Sequence, residues 1–310
     1  MKINNYSIKK SIKYLKNNEC IGIPTETVYG LAGNAYSDEA IDKIYRLKKR
    51  PKRNPLIVHY FDINSLKKDC IINRYFLKLF NKFCPGPLTF ILKLKKNSLI
   101  SKKITNNKNS LAVRFPKHPV TRTLIKKINF PLAAPSANIS QGISPVTKQD
   151  VIDEFGKKLK YVLEGGRSKI GIESTIINLI GKPKIIRLGG IEVKELEKVL
   201  KLNLIYKKKI DLNFPGQNKL HYSPGIPIEL NRKSPKKNSA YILINKKKNI
   251  RSKNFFYLSK NCNLKEAAQN LYKLLRKIKK KKYKLIEIEK IPDKGFGLAI
   301  NDRLKRASYK

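Results

Sequence analysis

The sequence has four cysteines, Cys20, Cys70, Cys84 and Cys262, and no CxxC pair among them, and its three histidines complete no zinc-finger pattern. That spacing excludes a structural zinc site and reads as reduced cytosolic thiols. Nowhere do eighteen apolar residues run together, so no transmembrane helix is predicted. The opening MKINNYSIKKSIKYLKNN lacks the apolar stretch of a signal peptide. A Walker A loop is missing: GGRSKIGI offers Gly166 and Gly171, but Ile172 stands where a lysine is needed. GxSxG is also missing, which leaves the usual hydrolase elbow without support. SLKK at Ser65 fits an SxxK pattern that lysine abundance alone explains.

Acidic side chains are scarce. The 310 residues hold 22 Asp and Glu against 69 Lys and Arg, a net charge of +47. Such a surface attracts polyanions, and a non-catalytic double-stranded RNA or tRNA-binding protein is one reading. Lysine is scattered along the whole chain, however, and Asn and Ile are abundant, as an AT-rich coding bias produces, whereas a binding footprint clusters. The one cluster, RKIKKKKYK at 276–284, reads as a solvated helix end or as an RNA contact.

Against this background, windows without charge stand out. Thr27 to Ser37 carry none, with Glu26 just before them. Residues 128–147 and 84–92 carry none, and 170–182 hold Glu173 alone before Lys182. Each mixes short apolar runs with Gly, Pro, Ser, Thr or Asn, as where a core strand ends in a binding loop. Between them the pattern alternates. Helices are predicted at 7–18, from Ser37 to before Pro51, around Phe76 to Phe83, at about 119–128, after Thr147 with a capping box to Asp150, and around Val193 to Leu200. CIGIP, LIVHY, LTFILKL, LAVRF, YVLE, STIINLI and KIIRL read as strands. Residues 203–227 lack a clear period and read as a linker. Beyond it AYILI, FFYLS, a helix at 264–278, KLIEIE and a helix at 296–308 predict a small Rossmann-like domain.

Three groups carry candidate chemistry. RLKKRPKRNPLIVH packs Lys48, Lys49, Arg50, Lys52 and Arg53 at a helix end, where cations are favoured in any case. AAPSANISQGISP offers Ser136, Asn138, Ser140 and Ser144 as neutral donors and acceptors in a Pro-broken loop. Arg114 and Arg187 are lone cations on apolar strands, either surface residues or forks for an anion. A pocket for a nucleoside triphosphate and a small acid fits this set, with catalysis by positioning and charge neutralisation.

PTETVYGL, KKRPKRNPLIVH, CPGPLTFIL, LAVRFPKHP, AAPSANISQGISP, GIESTIINL and IIRLGG resemble, in order and spacing, the signatures of the YrdC-like family over about residues 8–200. FPGQNKLHYSP and GFGLAINDRLKRAS resemble the longer members with a second domain. The resemblance implies an α/β fold, a twisted mixed-sheet YrdC-like domain with a cationic concave face (1–202), a linker that serves as a lid (203–227) and a small Rossmann-like domain (228–310). It implies synthesis of L-threonylcarbamoyl-AMP from L-threonine, bicarbonate or CO2 and ATP, with release of pyrophosphate, in the cytoplasm. A separate transferase complex then modifies adenosine 37 of tRNA. It places threonine on Thr25, His59, Arg114, Ala134 and Ser174. The family tetrad maps onto Lys48, Arg50, Ser136 and Asn138, with further ATP contacts from Asn54, Ser110, Ser144, Arg187, His221 and Tyr222. Mg²⁺ rides in with the triphosphate, and no tightly bound metal is expected. Phe214 and Ser223 depart mildly from the linker pattern.

Overall fold

The computed structural model describes residues 4–206, 220–245 and 253–309. Helix α1 (Asn5–Lys16) starts at Asn4, whose side chain accepts the Ser7 amide at 3.2 Å, and buries Ile8 and Leu15. β1 (Ile21–Ile23) stops before Pro24, and β2 (Gly30–Asn34) returns antiparallel to it. Residues 21–33 are all buried. The charge-poor window is therefore interior, and lysine is excluded from it by the desolvation it would suffer there.

Helix α2 (Asp38–Lys48) begins at Ser37, which accepts the Ala40 amide, and carries Asp38 and Glu39 in its first turn. Lys49 ends it in the left-handed conformation at φ 48°, and the Arg50 amide folds back to the Tyr45 carbonyl at 3.0 Å. There follow β3 (Ile57–His59), α3 (Ile63–Asp69), β4 (Cys70–Ile71), α4 (Arg74–Phe83), β5 (Leu88–Leu94), α5 (Lys102–Thr105), β6 (Ser110–Arg114), α6 (Pro119–Lys126) and β7 (Leu132–Ala133). Then come α7 (Lys148–Phe155), β8 (Thr175–Asn178), β9 (Lys184–Arg187), α8 (Val193–Leu200) and β10 (Ile205–Tyr206). The capping box predicted for Thr147 and Asp150 is formed at α7. YVLE, read as a strand, is not one: it makes a single isolated bridge, Val162 to Gly22.

These strands form one mixed sheet in the order β1-β2-β7-β3-β6-β5-β8-β9-β10, with β4 added on β5. Alternation gives it two faces. Val58, Phe90, Leu92, Val113 and Ile177 join the main core beside Phe76 and Leu79 of α4. Ile57, Ile91, Ala112 and Ile176 form a small apolar cluster on the other face. That second face floors the site.

The C-terminal part holds β11 (Ile228–Glu229), β12 (Ala240–Asn245), β13 (Phe255–Ser259), α9 (Leu264–Lys280), β14 (Ile286–Ile288) and α10 (Phe296–Ala307). Its four strands are all parallel, in the order β11-β14-β12-β13, as the Rossmann-like reading expects. Helix α9 docks on the loops of the first sheet. Arg167 Nη2 donates to the Gln269 carbonyl at 2.7 Å, and Arg276 Nη2 bonds the Ile143 carbonyl and lies 3.2 Å from Glu154. Gly171, at φ 78°, permits that approach, because a Cβ there would sit 2.5 Å from Gln269 Cα. Of the predicted linker, 207–219 lies outside the described residues, Phe214 included. Among the described residues no helix is long and apolar enough to cross a membrane.

Candidate active site

Strand register places a polar row across the second face of the sheet. His59 of β3 faces Arg114 of β6, Arg114 faces Thr89 of β5, Thr89 faces Ile176 of β8, and Ile176 faces Arg187 of β9. Arg114 and Arg187 are thus three strand spacings apart, about 14 Å along the sheet. A cleft of about 570 Å³, its open mouth included, lies over this row. Thr25, His59, Arg114, Ala134 and Ser174 line it, as do Arg50, Ser136, Arg187 and His221.

The Arg114 end is rich in hydroxyls. Thr25 donates to the Val28 carbonyl at 2.6 Å and accepts the Thr27 amide at 3.2 Å, which closes the tight turn of PTETVYG. Thr89 and Ser174 share a hydrogen bond of 2.7 Å. Arg114 is buried and forms an ion pair with Glu26 at 2.6 Å. Its Nε has no partner. His59 is buried as well; desolvation, then the Arg114 charge, hold it well below the usual imidazole range, so it is neutral at pH 7. Its Nδ1 also lacks a partner.

The other end is cationic. Arg50 is held from behind by Asn54, through Nε to its carbonyl at 3.1 Å and Nη2 to its Oδ1 at 2.7 Å, and by the Pro55 carbonyl at 2.9 Å. Burial, with the Arg187 charge adding to it, pulls Arg50 down to about 10, which leaves it protonated at neutral pH. Arg187 is pinned by the Ser174 carbonyl, at 3.1 Å from Nε and 3.0 Å from Nη2, and by Ser174 Oγ at 3.1 Å. His221 packs against Tyr222 in a tilted arrangement with ring centroids 3.9 Å apart. Burial, then Arg50, Arg187, Arg306 and Lys48, hold His221 well below the usual range. His221 Nδ1 and the Tyr222 hydroxyl are buried without partners. An unsatisfied buried polar atom costs about 1–3 kcal/mol. Three such atoms, on His59, Arg114 and His221, belong to residues that line the cleft, and Tyr222 lies behind His221, which marks the cleft as a candidate ligand site.

The remaining predicted residues sit behind or away from the cleft. Lys48 turns inward and donates to the Ser136 and Asn138 carbonyls, so it braces the loop that presents Ser136. Asn138 bonds the Ile139 and Gly142 carbonyls through Nδ2 and leaves Oδ1 free. Ser144 gives its hydroxyl to Glu173 at 2.6 Å. Ser110 lies at the far end of β6, opposite Lys93, and is not in the cleft. Among the described residues no group of three His, Cys, Asp or Glu is placed to hold a metal. Sequence reasoning gave no role to Glu26, Thr89, Glu173, Tyr272 or Arg303, all of which shape the site. Two of them carried a signal, since Glu26 and Glu173 are lone carboxylates in charge-poor windows.

Comparison with known proteins identifies the family. The Sua5/YciO/YrdC family model, described as "Telomere recombination", matches residues 13–189. The chain belongs to the Sua5/YciO/YrdC family. It has the long form, because a second model, "Threonylcarbamoyl-AMP synthase, C-terminal domain", matches residues 191–308. Among its Sua5 relatives, the threonylcarbamoyl-AMP synthase of Pyrococcus abyssi is 33% identical, with 99% of this chain and 95% of that protein covered. The threonylcarbamoyl-AMP synthase of Bacillus subtilis is also 33% identical, over 98% and 94%. The crystal structure of P. abyssi Sua5 complexed with L-threonine superposes with a TM-score of 0.91 at 31% identity, covering 99% of this chain and 96% of that one.

Proposed function

We propose that the cleft joins L-threonine, bicarbonate or CO2, and the magnesium complex of ATP into L-threonylcarbamoyl-AMP, releasing pyrophosphate, with one water released as well when bicarbonate supplies the carbon. The chain is an enzyme, a threonylcarbamoyl-AMP synthase of the Sua5 family. The observation that carries the residue assignment is the cleft's polarity, with a hydroxyl-lined arginine at one end and two arginines at the other.

In this reading the free edge of Arg114 forks the threonine carboxylate, and Thr25, Ser174 and the backbone at Ala134 receive the rest of the amino acid. Neutral His59 accepts a proton or hydrogen bond from the amine as it adds to CO2. One carbamate oxygen then attacks the α-phosphorus, and the bond to the β-phosphate oxygen breaks. Arg50 and Arg187 neutralise the charge that gathers on the leaving pyrophosphate, and Ser136 and Asn138 hold phosphate oxygens. Lys48 serves the same step by fixing the Ser136–Asn138 loop. His221 and Tyr222 close over the nucleotide and keep water from the adenylate. Asn54 acts through Arg50, and Ser144 through Glu173. The product passes in the cytoplasm to a separate transferase for tRNA.

Pyrophosphate release from ATP with bicarbonate tests this, with L-threonine, with L-serine and without amino acid. Release that depends on threonine and is weak with serine is expected. Salt-sensitive tRNA binding with no release under any amino acid would return the chain to the RNA-binding reading.

A further inference from the structure

Glu173 lies at the wall of the cleft, next to Ser174, and is buried. Both of its oxygens are engaged. Oε1 accepts from Ser144 at 2.6 Å and Tyr272 at 3.0 Å; Oε2 accepts from Tyr272 at 2.8 Å and Arg303 Nε at 3.2 Å. Tyr272 belongs to α9 and Arg303 to α10, so the C-terminal part supplies three of these four contacts. Arg303 is 1% exposed and sits 5.6 Å from the Tyr222 ring, which in turn stacks on Tyr272 at 5.7 Å.

A second cation, Arg187, senses the same carboxylate. Burial pushes the Glu173 carboxyl up, but Arg303 first and Arg187 next, with the Ser144 and Tyr272 hydroxyls, hold it below its usual value. Yet the groups that Arg187 bonds, the Ser174 carbonyl and hydroxyl, are neutral. Two buried guanidiniums therefore flank this stretch: Arg303, from the C-terminal part, bonds the Glu173 carboxylate, and Arg187 bonds the adjacent Ser174. Without Arg303, Arg187, which bonds the adjacent Ser174 and lines the same cleft, is a cation on hand to compensate the buried carboxylate. Arg187 would then be paired, and the wall would lose its net positive charge.

We infer that Arg303 and Tyr272 are positioning residues for nucleotide binding: by claiming Glu173 they leave Arg187 free to meet phosphate. The C-terminal part thus tunes the charge of a cleft that it barely lines. This rests on the proposed function, so the wild-type full chain is measured first. If it neither binds ATP nor releases pyrophosphate with threonine, that reading fails and not this one.

The test is rescue. Arg303→Met should weaken ATP binding, measured by titration calorimetry on the full chain, by about tenfold, the scale of a hydrogen bond to a charged group. Adding Glu173→Gln should restore much of the loss, because a neutral amide no longer captures Arg187. A simple staple between the two parts of the chain predicts that Glu173→Gln restores thermal stability, by removing an uncompensated buried charge, while ATP binding in the double variant stays as weak as in the single. That result, or unchanged ATP binding in Arg303→Met, overturns the proposal. If Arg303→Met lacks a thermal unfolding transition, Tyr272→Phe takes its place. It should weaken ATP binding by a smaller factor, again relieved by Glu173→Gln, and absence of relief is decisive in the same way.

Discussion

Glu26 Oε1 lies 2.6 Å from Arg114 Nη2, and both side chains are sealed from solvent. The other Glu26 oxygen accepts the Lys117 amide at 3.0 Å. Glu26 is not among the residues lining the cleft, so its ion pair holds the Arg114 guanidinium in place without itself facing the cleft. Removing one partner of a buried ion pair leaves the other uncompensated and costs about 3–5 kcal/mol. Glu26→Ala is therefore expected to lose that much stability in urea unfolding. Glu26→Gln, which keeps an acceptor, should lose less than half as much. In the folded Gln variant the threonine KM should rise more than the ATP KM, and equal rises would detach Arg114 from the amino acid.

Lys48 is 1% exposed and spends its ammonium on two backbone carbonyls. Lys48→Ala strands the Asn138 carbonyl, at about 1–3 kcal/mol, while the Ser136 carbonyl keeps the Asn138 amide at 3.0 Å. Pyrophosphate release and thermal stability should fall together. Arg50→Ala should abolish release with a smaller change in stability, since Arg50 is only partly buried whereas Lys48 is fully buried. If Lys48→Ala lost release at wild-type stability, Lys48 would belong with the groups that touch phosphate.

Gly171 and Gly166 make a matched pair. Both have positive φ, 78° and 70°, but a Cβ at Gly171 strikes the Gln269 backbone, whereas nothing lies within 4 Å at Gly166. Gly166→Ala should cost about 1–2 kcal/mol, the left-handed penalty alone. Gly171→Ala adds displacement of α9 and should cost clearly more by urea midpoint. Equal losses would mean that α9 yields freely.

The sequence made the architecture legible because its signals are local. Ser37 with Asp38 and Glu39, the box at Thr147 and Asp150, and the period of α9 each act within one turn. YVLE failed as a strand because its apolar residues pack into the core from a loop. Short elements such as α3, β7 and β11 span too few residues to show a period. At the site, residues on neighbouring strands were found as motifs, and nine of the predicted set line one cleft. What motifs do not encode is long-range pairing. Arg303 meets Glu173 across 130 positions of chain, and Glu26 meets Arg114 across 88. The trace they left was a lone carboxylate in a neutral window, which in both cases turned out to be the counter-ion of a buried arginine.

The three histidines predict how acid unfolds the chain. His59, His118 and His221 are each held below the usual 6.5 by burial first; Arg114 adds to this at His59, Arg50 and Arg187 at His221, and Lys169 at His118. In the unfolded chain they regain ordinary values. Below pH 6.5 the unfolded state therefore binds protons that the folded state refuses, so stability is full above that pH and falls as pH drops. Each histidine contributes a slope of up to about 1.4 kcal/mol per pH unit, and three together about 4. Depressed carboxylates such as Glu173 act lower, below their unfolded value of 4.5, so the window from pH 6.5 to about 5 belongs to the histidines. Urea midpoints across that window should fall steadily with acid. His118→Gln, outside the proposed substrate contacts, should remove up to a third of the slope. A flat profile from pH 7 to 5 would mean that His59 and His221 take up protons in the fold. His59 would then be charged over much of the range below pH 6.5, and could accept from the threonine amine only above it.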